Sequence, residues 1–134
     1  MIRVLSLSLM SMTLAAAPMG VINPMVTQSN IHETICVPGW TATIRPPSAY
    51  TNALKRKSIP AHASPRAYEE DHILPLGVGG HPSDPKNLWP QPWGGKCGAK
   101  AKDVDEFAIH KAVCNGSISL SDAQKMFMPW ECKP

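Results

Sequence analysis

Apolar residues open this chain as one block: from Val4 to Ala17 they are interrupted only by Ser and Thr. Met1-Ile2-Arg3 supplies a positive start, and the small run Ala15-Ala16-Ala17 leads into Pro18. This arrangement predicts a secretory signal peptide over about residues 1–20, because the block is shorter than the roughly 20 residues a spanning helix needs. Residues 21–33 are polar and lack a period, so they read as a flexible lead-in. From Thr34 to Ile44, β-branched and aromatic residues around Cys36 and Trp40 predict extended chain, interrupted at Pro38-Gly39. Pro46-Pro47-Ser48 opens a helix in which Tyr50, Ala53, Leu54 and Lys57 recur at i, i+3, i+4 and i+7.

Tyr68 to Leu76 reads as a strand, followed by an irregular loop through Gly77-Val78-Gly79-Gly80 to Pro85. Asn87-Leu88-Trp89 is a second extended piece stopped by Pro90, and Trp89 and Trp93 read as structural anchors. Between Ala99 and Val113 the period becomes helical. Val104, Phe107, Ala108 and the aliphatic stem of Lys111 form one stripe, with Asp103, Glu106 and His110 on the other side. Ser119-Leu120-Ser121-Asp122 fits a capping box for a last short helix through Ala123 to Phe127, with Trp130 and Cys132 tying down the end.

Composition adds constraints. The 134 residues suffice for one domain, placed at 34–134, and no internal repeat or low-complexity segment interrupts it. Fourteen Pro and nine Gly imply many turns and short elements, while 43% apolar content argues against disorder. The expected fold is therefore α+β: a small single domain with short helices. Beyond the first block no segment is long and apolar enough to span a bilayer, so no stable membrane insertion is expected once the signal is removed. Cys36, Cys97, Cys114 and Cys132 lack the close pairs of zinc knuckles, and an exported protein favours two disulfides. Three pairings are open; a Cys36–Cys114 bridge would close a long loop and contribute about 4 kcal/mol through the unfolded state. A secreted or periplasmic location follows from the same features.

A net charge of +3 permits nucleic-acid binding without arguing for it. Lys55-Arg56-Lys57 and the series Lys96, Lys100, Lys102 are local basic clusters that could meet phosphates; at a helix end the first also complements the helix dipole.

The stretch richest in chemistry is Tyr68-Glu69-Glu70-Asp71-His72-Ile73-Leu74-Pro75-Leu76, then the Gly-rich loop, then Asp84-Pro85-Lys86-Asn87-Leu88-Trp89-Pro90. Strand, loop, short strand and helix, with Asp-His on the first strand and Asn on the second, resemble the ββα-metal (His-Me finger) core of HNH endonucleases. That resemblance covers about Tyr68 to His110, roughly a third of the chain. Ile35-Cys36-Val37-Pro38-Gly39-Trp40-Thr41, Tyr50-Thr51-Asn52-Ala53-Leu54-Lys55, Asn87-Leu88-Trp89-Pro90 and Lys102-Asp103 with Glu106 are more widely similar to small exported bacterial HNH-like proteins.

The resemblance implies a metal-dependent endonuclease acting on DNA or RNA, with an immunity protein as a conceivable partner. Phosphodiester cleavage needs a nucleophilic water, a base and positive charge for the departing oxygen. His72 is the expected base, since an ordinary imidazole is largely neutral at pH 7. Asp71 is the expected ligand for a divalent ion, Mg²⁺ first, with Mn²⁺, Zn²⁺ or Ni²⁺ as alternatives. Asn87 stands where HNH proteins place the residue that braces the loop carrying the base. The position at the helix start departs from the pattern: Gly94-Gly95-Lys96-Cys97-Gly98 delays the helix, which offers neither His nor Asn there. Asp103 is the first choice for a second ligand, with Glu106 or His110 further along the stripe; Lys102 is a candidate contact to the scissile phosphate. Strict alternation would also send Asp71 and His72 to opposite faces of a strand, so both serve one site only if the strand ends there. The competing readings are an inactive HNH-like scaffold that binds metal, nucleic acid or an envelope partner, and a purely structural disulfide-rich envelope protein.

Overall fold

The computed structural model describes residues 19–132. The signal peptide expected over residues 1–20 lies outside the described residues except for its last two. What is described is a small mixed helix and sheet domain with two disulfides. Its helices are α1 (Trp40–Ile44), α2 (Ser48–Ser58), α3 (Ala99–Cys114) and α4 (Leu120–Lys125), and its strands β1 (Tyr68–His72) and β2 (Leu88–Pro92) form one antiparallel pair. Short 3₁₀ turns, among them Gln28–Glu33, Leu76–Val78 and Pro85–Asn87, connect them. Among the described residues no helix is long and apolar enough to cross a membrane.

Local chemistry explains most boundaries. Pro47 sits extended (φ −58°, ψ 143°) ahead of α2, and the cations Lys55, Arg56 and Lys57 occupy its last turn. At α4, the Ser119 hydroxyl accepts from the Asp122 N–H at 3.0 Å and donates to its carboxylate at 2.8 Å, so an orphan helix donor is satisfied. Pro90 was expected to stop the second strand, yet β2 continues to Pro92. The ladder bonds Trp93 N–H to Ala67 and Ile73 N–H to Asn87 fall in the register of Trp89 and Gln91, so Pro90 and Pro92 turn their nitrogens away from β1.

Two expectations for the N-terminal third are corrected. The supposed lead-in is packed: Asn23, Val26 and Ile31 are buried, and Ile22 forms a β-bridge with Gly80. The bridge needs a glycine, because a Cβ at Gly80 would lie 1.8 Å from the Leu74 carbonyl oxygen. Thr34–Ile44 is not extended either; it enters from the Gln28–Glu33 turn and forms α1 after a left-handed Gly39 (φ 83°). Its start packs inward, with Thr34 and Ile35 buried, while Val37 and Thr43 are exposed.

That core comprises Val26, Ile31, Ile35, Leu74, Val78, Val113, Leu120, Ala123 and Phe127. Helix α3 meets it with an unexpected face. The predicted apolar stripe points outward, with Val104 69% and Phe107 72% exposed, while Ala99, Lys102 and Val113 are buried. Cys36–Cys114 joins the N-terminal segment to the end of α3, and Cys97–Cys132 joins the chain end to the loop before α3. Closing loops of 78 and 35 residues contributes about 4.5 and about 3.8 kcal/mol on the chain-entropy model. Disulfides of this kind persist in oxidising compartments.

Candidate active site

Strand β1 ends at His72 rather than at Leu76, and this early ending brings two neighbouring side chains to one place. Asp71 and His72 line the same cleft of about 420 Å³, together with Glu69, Asp103, Glu106 and His110. Asp71 Oδ1 accepts from the His72 N–H at 2.8 Å, which turns the carboxylate onto the peptide that follows it.

His72 is 4% exposed, and its Nε2 lies 2.8 Å from the Pro82 carbonyl oxygen. A carbonyl only accepts, so Nε2 carries the proton and the Nδ1 lone pair is left free. Burial lowers the His72 pKa below the usual imidazole value, against the Pro82 hydrogen bond and the Asp71 charge. The ring is therefore neutral at pH 7.

Lys102 sits at the centre of the site and is 1% exposed. Its ammonium donates to Asp71 Oδ2 at 2.7 Å and to the His72 carbonyl, and the same nitrogen stands 6.0 Å above the centroid of the buried Phe127 ring. Glu106 Oε1 is 2.9 Å from the same nitrogen but outside hydrogen-bond geometry, so that contact is an ion pair only. Burial alone would depress the lysine; the Asp71 and Glu106 carboxylates outweigh it and hold Lys102 above its ordinary pKa. The expected phosphate contact is thus corrected. Lys102 is engaged inside the protein, pinning α3 to the end of β1, and it forms no continuous basic patch with the exposed Lys96 and Lys100.

One ammonium between two carboxylates satisfies them unequally. Glu106 is pushed up to about 7, by burial first and then by the Asp71 and Asp103 charges, against Lys102. Glu69 also rises to about 7, through burial, Asp71 and Asp103, with Arg45 and Lys102 opposing. Negative charge in the cleft is under-compensated.

Asn87 is fully buried and uses its whole amide. Its oxygen accepts from Val21 N–H (3.0 Å) and Leu74 N–H (2.9 Å), and its nitrogen donates to the carbonyls of Leu74 (3.0 Å) and His81 (2.8 Å). It stitches both ends of the loop after His72 to the N-terminal segment, with no bonding capacity left over for a ligand. His110 is held similarly, its Nδ1 on the Gly77 carbonyl at 2.8 Å. Asp103 is exposed on the cleft wall.

Among the described residues no three His, Cys, Asp or Glu side chains are grouped to hold a metal. The donor set suits a hard divalent ion bound through one or two carboxylates and water, since Asp71, Asp103, Glu69 and Glu106 share the cleft, and burial first, then the Asp71 and Asp103 charges, raise Glu69 and Glu106.

Two residues of the site escaped the sequence reading. Glu69 precedes Asp71 by two positions on β1, and that spacing, which puts both on one strand face, was the available signal. Arg45 precedes Pro46, whose ring favours extended chain before it; Arg45 adopts φ −63°, ψ 131° and reaches the cleft mouth. Its proximity to His72 arises from packing and leaves no trace in sequence. No match to this chain is found among protein-family models, curated proteins or solved structures.

Proposed function

We propose that this chain is an exported, metal-dependent endonuclease of the HNH type, secreted or periplasmic, that hydrolyses phosphodiester bonds of DNA or RNA with His72 as general base. The observation that carries the reading is a neutral histidine whose Nε2–H is fixed on the Pro82 carbonyl and whose Nδ1 is free beside a carboxylate-lined cleft. Such a ring can take a proton from a water at neutral pH without first losing one of its own. The Pro82 bond also holds the ring's orientation and supports the imidazolium that forms. The strand–loop–strand–helix order of β1, β2 and α3 supports a ββα-metal core.

Asp71 with Asp103, or with Glu106, would hold a divalent ion, Mg²⁺ before Mn²⁺. Bound there, the ion would supply positive charge to the phosphate and the departing oxygen. Lys102 holds the Asp71 carboxylate in its orientation, and Asn87 keeps the His72 loop in place.

One observation favours a second reading, an inactive scaffold: the Lys102 ammonium already stands between Asp71 and Glu106, where it supplies the compensating cation itself. Incubation of the disulfide-intact protein with supercoiled plasmid and with labelled single-stranded DNA and RNA separates the two. The nuclease reading expects cleavage with Mg²⁺ or Mn²⁺, none with EDTA, and none in a folded His72→Ala variant. Cleavage untouched by His72→Ala removes the mechanism, and no cleavage with any divalent metal leaves the scaffold.

A further inference from the structure

The His72 ring stands between two clefts. Beyond the acidic one lies a second, of about 370 Å³, and Arg45, Glu69 and His72 line both. The two differ in chemistry. The first carries Asp71, Asp103 and Glu106. The second is walled by Ser48, Thr51, Asn52 and Lys55 of α2 and by Trp93 just after β2. Glu70 also faces it, and the negative charges of Glu69 and Glu70 are countered there by Arg45 and Lys55.

Among the described residues, Arg45 and Trp93 of this second cleft make no polar side-chain contact and stay open to solvent. Among the described residues Arg45 makes no hydrogen bond or ion pair, although its charge reaches both Glu69 and His72. Its planar fork of N–H donors suits a phosphate, and its backbone is set by Pro46. Trp93 leaves 38% of its surface exposed, while its backbone is fixed by its N–H on the Ala67 carbonyl (3.0 Å) and its carbonyl on the Lys100 N–H (3.3 Å). A partly open indole on a fixed backbone, in a cleft of mixed polar and apolar lining, is a stacking platform for a base, and a base can stack on protein only when it has left its own helix.

We propose that the second cleft binds the nucleotide next to the bond to be cut, with Arg45 on the phosphate at the junction and Trp93 under the neighbouring base, so that the preferred substrate is single-stranded nucleic acid. The inference rests on the nuclease reading of His72. It divides the labour along one groove: α2, Arg45 and Trp93 hold the strand, and the acidic side with His72 does the chemistry.

Binding is measured without turnover, by fluorescence anisotropy in EDTA, on a labelled single-stranded dodecamer of DNA, its RNA counterpart and a hairpin duplex. The wild type is expected to bind the single strands more tightly than the duplex, with affinity falling as salt rises. Arg45→Ala should weaken binding about tenfold and reduce the salt slope by about one phosphate equivalent. Trp93→Ala should weaken single-strand binding about five- to 150-fold, with Trp93→Phe restoring most of it and duplex affinity unmoved. Both side chains lie at the surface, and thermal melts of the variants check that folding is intact. Wild-type affinity in both variants, or a wild type that prefers the duplex, overturns the proposal. If cleavage depends on His72 while both variants bind normally, only the strand-binding inference falls; if the variants lose binding but no metal gives cleavage, the groove stands and the nuclease reading falls.

Discussion

Replacing Glu106 with Gln should make this protein more stable at pH 8, although the substitution removes an ion-pair partner. Glu106 shares the Lys102 ammonium with Asp71, which holds the better geometry: 2.7 Å and a formed hydrogen bond, against 2.9 Å and none. The outcome is a carboxyl raised from 4.5 to about 7. Between those values the folded state keeps a proton that the unfolded state has lost, so stability falls as pH rises from about 4.5 to about 7 and stays level above. The full shift corresponds to about 3 kcal/mol at pH 8. Because 26% of the side chain is open to water, solvent screening brings the expected figure nearer about 2 kcal/mol. Glutamine keeps an acceptor near Lys102 and cannot ionise, and Lys102 retains Asp71, so no buried charge is orphaned. Urea unfolding with disulfides intact, at pH 5 and pH 8, should give nearly equal stabilities at the lower pH and an advantage of about 2 kcal/mol for Glu106→Gln at the higher. His72 titrates in the opposite sense, so the difference between variant and wild type is the quantity to compare. A variant less stable than wild type at pH 8 would refute the reasoning, because Glu106 would then be a net stabilising partner of Lys102.

Four further outcomes follow from the same geometry. Mg²⁺ should raise the thermal midpoint of the wild type more at pH 8 than at pH 5, and Asp71→Asn should abolish that rise; equal shifts at both pH values would separate metal binding from the cleft carboxylates. At saturating Mg²⁺ the acid limb of kcat/KM should fall below pH 6.5, since burial lowers the base; a limb above 6.5 would point to a group other than His72. Asn87→Ala leaves two N–H groups and two carbonyls without their partner, each costing about 1–3 kcal/mol, so the variant should be largely unfolded by circular dichroism at 37 °C. Joint replacement of Cys36 and Cys114 by Ala should cost about 4.5 kcal/mol in urea unfolding, and a loss under 1 kcal/mol would mean the N-terminal segment docks without its bridge.

Much of the local structure was legible in the chain. The start of α2 after Pro46-Pro47, the extent of α3 and the cap of α4 follow from signals within a few residues, because proline geometry, helical period and capping act locally. Asp71-His72 on a first strand before a Gly-rich loop could likewise be read directly, but the strand stops at His72 instead of Leu76, and Asn87 closes the turn before β2 instead of lying on that strand. Periodicity misled at α3, where hydrophobicity alone chose the face of Val104 and Phe107. The domain buries Lys102 instead, because Asp71 and Glu106 compensate its charge, and a residue's partners across the fold are invisible to a period count.

What the sequence by itself determined is therefore the inventory and its order: a histidine, its neighbouring carboxylate, an asparagine and a helix carrying Lys102, Asp103 and Glu106, with four cysteines available for crosslinks. Tertiary structure decided their employment. It paired Cys36 with Cys114 and Cys97 with Cys132, docked residues 21–33 through the buried Asn23, Val26 and Ile31, and set Arg45 and Trp93 beside His72. It also turned Lys102 from a candidate phosphate contact into an internal counter-charge. The physical reason is range: backbone preference and capping reach a few residues along the chain, whereas charge compensation and burial depend on groups brought together from 30 or more positions apart, such as Asp71 and Lys102, separated by 31.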